Sequence, residues 1–200
     1  MGSSTNIGFV YGSDSRSFAE VELSNMIHYL LSKNGKVLSQ KYSKDLDGDG
    51  WVESNEVVYL LQKDTLSQLV NNYYGQIKIA CDLLGKKGLV LDVLFKKLNQ
   101  TCFGILLDIS DEQILDSTHH DSLDRITDKI VELMECIYSI SHFDYAFCDN
   151  EAQIEYSLSD FVSLGKPVYS VIVLPNEISR SKLQITKSNW HIDGLTPRKN

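Results

Sequence analysis

Residues 121–140 read DSLDRITDKIVELMECIYSI, and this stretch decides how the chain is organised. Leu123, Ile126, Ile130, Leu133, Met134, Ile137 and Ile140 recur at three- and four-residue steps. At about 100° per residue they gather on one side of a helix. Asp121, Asp124, Asp128, Glu132 and Glu135 fall roughly opposite. Such a helix needs an apolar surface to lie on, and the flanking sequence offers strands. Residues 7–11, 36–43, 76–83, 88–94, 103–109, 143–148 and 168–174 are short apolar or alternating runs bounded by turn residues. Ser17-Phe18-Ala19-Glu20 has capping-box spacing and opens a helix to about Ser32, which Asn34-Gly35 ends. Further helical pieces are expected at 57–61 with 66–73, at 111–115 and at 158–164, with an irregular end from Pro175. The expectation is one α+β domain over residues 1–200, a mixed β-sheet flanked by amphipathic helices, with a calcium-type loop inserted at 45–56.

Composition narrows the function. Two hundred residues with 42% hydrophobic and 23% charged side chains can bury a core without staples. A net charge of −8 argues against direct nucleic-acid binding and against anionic membranes. No apolar run approaches the roughly 18 residues of a membrane span, and the polar first residues do not read as a signal peptide. Cys81, Cys102, Cys136 and Cys148 form no Cys-x-x-Cys pair and stand among apolar neighbours, so reduced, buried thiols in a cytoplasmic protein are expected. The charge is uneven. Between residues 101 and 165 there are fourteen acidic side chains against Arg125 and Lys129, net −12, whereas residues 1–100 are neutral. Such asymmetry points to an interaction surface.

The sharpest chemical motif is Asp45-Leu46-Asp47-Gly48-Asp49-Gly50-Trp51-Val52-Glu53-Ser54-Asn55-Glu56. Its spacing resembles the twelve-residue calcium loop of EF-hand proteins. Asp45, Asp47 and Asp49 stand at alternate places, where side chains of a tight loop converge. Gly50 allows the turn, Trp51 offers a carbonyl, and Glu53 and Glu56 complete the set. Hard carboxylate oxygens in that number suit calcium. The plain alternative is a solvated acidic turn. The polar stretch before the loop leaves little room for an entering helix, and there is no second loop. A structural calcium site is therefore expected rather than a switch.

Other chemistry is weakly supported. Gly8 and Gly12-Ser13 follow a strand but make neither a Walker loop nor a dinucleotide fingerprint. His119-His120 reads as a helix start. More carboxylates follow the long helix at Asp144, Asp149, Glu151 and Glu155, interleaved with Tyr145, Phe147 and Tyr156. Carboxylates beside exposed aromatics suit a surface that receives Lys and Arg side chains. The candidate partner-binding set is Asp124, Asp128, Glu132, Asp144, Asp149 and Glu151. A small hydrolase using two of the later carboxylates is a further reading, as is a calcium module without a protein partner.

The segment Phe143-Asp144-Tyr145-Ala146-Phe147-Cys148-Asp149-Asn150-Glu151-Ala152-Gln153-Ile154-Glu155 is similar to segments of the immunity proteins of bacterial polymorphic-toxin systems. The alternation of strands and amphipathic helices in an acidic chain fits that group. The resemblance implies a non-enzymatic protein that binds and neutralises a cognate toxin. A basic toxin would be steered by the acidic surface.

Overall fold

The computed structural model describes residues 3–12, 18–45, 49–55, 57–58, 63–115, 119–176 and 182–199. Strict in–out alternation builds its centre: Ile77, Ile79, Cys81 and Leu83, then Leu89, Leu91, Val93 and Phe95, put every second side chain on one buried face. The elements are β1 (Ser4–Tyr11), α1 (Ala19–Ser32), β2 (Lys36–Ser43), β3 (Trp51–Ser54), α2 (Lys63–Asn71), β4 (Tyr74–Leu83) and β5 (Lys86–Lys97). Then come β6 (Phe103–Ser110), α3 (Asp111–Ile114), α4 (His120–Tyr138), β7 (Tyr145–Asn150), α5 (Leu158–Ser163), β8 (Val171–Pro175) and β9 (Leu183–Lys187). The nine strands form one sheet in the order β3-β2-β4-β5-β6-β1-β7-β8-β9. The α+β class is as expected. The strand direction is not mixed: each neighbouring pair is antiparallel.

One face carries the main core. Phe9, Ile79, Leu91, Ile105 and Leu107 from the strands meet Leu23, Met26 and Leu30 of α1, Leu69 of α2, and Ile130, Met134 and Ile137 of α4. Each such side chain removed from water contributes about 1.5–3 kcal/mol. The other face is covered over β6, β1, β7 and β8, with Leu94 of β5 packed at the margin. There Tyr145 stacks on Phe161 of α5 at 4.6 Å and Phe147 on Tyr169 at 4.0 Å, with Val10, Leu106, Ile154 and Ile172 around them. Gly8 is required here, because a Cβ on it would lie 2.2 Å from the Phe147 ring. That close approach, not an anion, explains the glycine. Farther out on the same face, Lys78 of β4 and Asp92 of β5 pair at 3.8 Å.

Four sequence expectations need correction. Residues 51–54 form a strand inside the supposed loop, because Ser43↔Trp51 through Gln40↔Ser54 pair as a hairpin. No helix starts at residue 57: Val58 bridges Val37, and α2 begins at Lys63. The end is not irregular, since β9 pairs with β8 along five residues. Phe18, not Ser17, is the N-cap of α1, and Ser17 lies outside the described residues. All four cysteines are free; Cys81, Cys102 and Cys148 are buried, but Cys136 is exposed. Burial pushes the Cys81 and Cys102 thiols up to about 11. Among the described residues no helix is long and apolar enough to cross a membrane.

Candidate functional site

Helix α4 is nearly as read from its periodicity. Leu123, Ile130 and Met134 are fully buried, while Asp121, Asp124, Asp128, Glu132 and Glu135 are exposed. Two of the five, Asp124 and Asp128, meet cationic side chains of the C-terminal segment. Arg198 Nη1 donates to Asp124 Oδ1 at 3.3 Å, and Lys187 Nζ donates to Asp128 Oδ1 at 2.8 Å. The basic tail that follows residue 166 thus folds back and neutralises part of the acidic stripe.

That folding-back rests on a buried polar network absent from the sequence reading. His191 is 1% exposed, with Nε2 3.3 Å from His120 Nδ1 and Nδ1 3.3 Å from Arg198 Nη1. A guanidinium only donates, so Nδ1 of His191 accepts, and Nε2 carries the proton toward His120. Burial, then the neighbouring Arg198 charge, hold the His191 pKa below its ordinary value. Arg198 Nη2 also donates to Ser170 Oγ at 3.2 Å. Asp193 accepts from the Leu195 and Thr196 amides and the Thr196 hydroxyl, which fixes the turn carrying His191 back to Arg198. Although burial raises it, the Thr196 and Leu195 hydrogen bonds bring the Asp193 pKa below the ordinary carboxylate range.

The second acidic group does not form one surface with α4. Asp149 was expected at the partner surface but is 8% exposed. Its carboxylate accepts from the Trp190 Nε1–H and Ser170 N–H, each at 3.0 Å, and from the Asn150 amide at 2.8 Å. Burial raises its pKa, against those three donors. It is a structural anchor for the C-terminal segment. Tyr145 and Phe147, expected as exposed aromatics, are both fully buried in the stack against α5 and Tyr169. Interleaved acids misled the reading, because a strand covered on both faces can still be followed by charged turns. Asp144 is half-buried before β7, and Glu151 is exposed after it, with φ 49°. A six-residue strand separates them by nearly 20 Å. Hence Asp144 and Glu151 cannot share one small pocket, which removes the geometric basis of the hydrolase reading for that pair.

In the calcium-type loop, Asp45 Oδ1 accepts from the Asp49 amide at 2.7 Å, and Oδ2 accepts from the Gly50 amide at 2.6 Å. The Ser43 hydroxyl also donates to Oδ2, at 3.2 Å. Asp49 is exposed; Trp51 and Glu53 lie on β3, opposite Ser43 and Lys41. The Lys41 ammonium stands 4.7 Å from the Trp51 ring centroid. Asp47 and Glu56 lie outside the described residues. Among the described residues no three His, Cys, Asp or Glu side chains converge as a metal site would need.

A family model described as immunity protein 64 matches residues 1–198. No curated protein matches. Among solved structures, the Pseudomonas aeruginosa T6SS protein PA0821 is similar over 74% of this chain and 41% of its own length, at 5% identity and a TM-score of 0.37. This chain thus spans less than half of that protein, and the likeness is too distant to carry an argument.

Proposed function

The chain belongs to the immunity protein 64 family, and from that premise we propose that it binds a cognate toxin protein in the cytoplasm and neutralises it without chemistry of its own. The family match over nearly the whole chain carries this reading. The net charge of −8 and the solvent side of α4 favour a toxin with a basic contact surface. On α4 the contact set is Asp124, Asp128 and Glu132 together with Glu135; Asp144 and Glu151 would belong to separate margins. Asp124 and Asp128 act through pairs shared with Arg198 and Lys187, so Glu132 and Glu135 supply more of the attraction.

The test is co-expression with the toxic domain encoded beside this chain's own gene. The expected result is rescued growth and a stable complex of fixed stoichiometry, with toxin activity lost in proportion to added protein. Absence of both protection and complex formation at micromolar concentrations would sink the reading. Glu132→Lys with Glu135→Lys should slow association about tenfold at low salt and leave the fold intact. An unchanged rate and salt dependence would reduce the acidic stripe to a solvated face.

A second element concerns calcium. The Asp45 carboxylate accepts from the Asp49 and Gly50 amides and from the Ser43 hydroxyl, and the calcium-type spacing of Asp45, Asp47, Asp49, Glu53 and Glu56 in the sequence supports a cation-binding reading. We propose that residues 45–56 take one calcium ion in a structural role, raising thermal stability by mass action. Calorimetric titration decides this; no heat and no thermal shift at millimolar calcium, in wild type as in Asp45→Ala, refutes it.

A further inference from the structure

A concavity of about 530 Å³ opens between the end of α1, the β4–β5 turn and the second half of α4. Four lysines line it, Lys33, Lys86, Lys87 and Lys129, against two carboxylates, Asp82 and Glu132. This is a local excess of positive charge on a chain whose net charge is −8. Asp82 is also engaged locally: Oδ2 accepts from Asn34 Nδ2 at 2.8 Å and Oδ1 from the Gly88 amide at 2.9 Å. The inner wall is apolar, made by Leu83, Leu84 and Leu133, all buried.

The wall is a built feature rather than a fortuitous dent. Leu83↔Lys86 closes a two-residue hairpin turn, and both turn residues have positive φ, 53° at Leu84 and 76° at Gly85. A leucine adopts that conformation only against the crowding of its Cβ by the following carbonyl. It is held there by its buried side chain and by Lys129 Nζ, which donates to the Leu84 carbonyl at 3.2 Å. Gly85 leaves the space that this ammonium occupies, because a Cβ there would lie 2.3 Å from Lys129 Nζ. Lys33 is set over the Tyr29 ring, 5.1 Å from its centroid. An apolar floor beside the exposed Lys33 and Lys87 suits an anion on an apolar stem.

We infer that this pocket receives an acidic side chain, aspartate or glutamate, presented on a loop of the protein that the chain neutralises. The inference rests on the immunity reading and adds the contact that fixes orientation. The partner then meets α4 with basic groups and the pocket with an acidic one. Two adjoining patches of opposite sign on one helix give a docking register that a single acidic face lacks.

The experiment compares wild type with Lys33→Glu, Lys87→Glu in calorimetric binding to the purified toxic domain encoded beside the gene. Both lysines are exposed, so the melting temperature should not move. The expected loss of affinity is about tenfold, mostly through faster dissociation, while Lys33→Arg, Lys87→Arg stays within about twofold. A loss below about threefold in the reversed variant overturns the pocket but leaves the immunity reading intact. Should the double variant fail to fold, Lys87→Ser alone is read by the same threefold criterion. If wild type does not bind the toxic domain, the immunity reading and this occupant fall together. Phenylacetate is the small-anion probe, followed by NMR at the Leu84, Gly85 and Cys136 amides. Its binding with unchanged toxin affinity in the reversed variant would make this a small-anion site and overturn the protein occupant.

Discussion

The two halves of helix α4 carry the same kind of sequence and have different fates. In the first half, Asp124 and Asp128 face Arg198 and Lys187, and the helix start abuts the buried His191. In the second half, Lys129, Glu132 and Cys136 form one wall of a lysine-lined concavity. Acidic residues on the first half hold down the chain's own C-terminal segment. Those on the second half remain with solvent and any partner. A segmental net charge of −12 therefore does not translate into an interaction surface of that size, since the folded tail offsets part of it in cis.

The largest effect that can test this contrast is removal of the anchor beneath the tail. Asp149→Ala leaves the Trp190 Nε1–H and Ser170 N–H without their acceptor, at an expected cost of about 2–4 kcal/mol. Denaturant melts measure it, and a loss under about 1 kcal/mol would mean that the C-terminal segment is not integral. Arg198→Ala should cost less, about 1–2 kcal/mol, because its contacts are partly exposed at Asp124. It should also increase amide exchange at the start of α4 more than at its end. Equal change at both ends would erase the distinction between the halves.

Acid should act on the first half in the same direction. His191 is held neutral in the fold by burial and by Arg198, with His120 adding to the effect and Asp124 and Asp193 opposing it. Its folded pKa is lowered, so its contribution is present above the unfolded value of about 6.5 and is lost as pH falls from there toward the folded value. Melting temperature should decline over that window in wild type and decline less in His191→Gln. A smaller effect is expected from Asp128→Asn: its pair with Lys187 is exposed, and such pairs contribute about 0–1 kcal/mol. Glu135→Gln, on the solvent side of the second half, should stay within about 0.5 kcal/mol.

The contrast also marks where the sequence was readable. Period-3.6 and period-2 patterns are local, so α4, β2, β4 and β6 could be placed within a few residues. The edge strands could not. β3 is four residues of mostly exposed side chains, and β9 alternates only over Leu183-Gln184-Ile185-Thr186 with no buried position, too short and too exposed to mark a strand. The tail network was invisible for a different reason. His191 meets His120 and Arg198 meets Asp124 across about seventy residues of chain, and no spacing rule links them. Asp149 looked like one more surface acid, because nothing near it in the sequence announces the Trp190 indole that covers it. The lysine pocket carries no local signal, since Lys33, Lys86 and Lys87 come from the charge-balanced residues 1–100 and Lys129 from the acidic segment.

Strand β1 lies between β6 and β7, with Ile7 opposite both Leu107 and Cys148. It is made before both neighbours, which follow about 100 and about 140 residues later. At roughly 5–20 residues per second, its second partner emerges about 7–30 s after it does. The hairpin-connected run β4–β5–β6 can assemble from nearby contacts during that interval, while β1 waits as an unpaired apolar strand. Newly made molecules therefore pass through a period in which this buried strand is available to chaperones, and the supply of folded protein is set by the delay in closing the sheet.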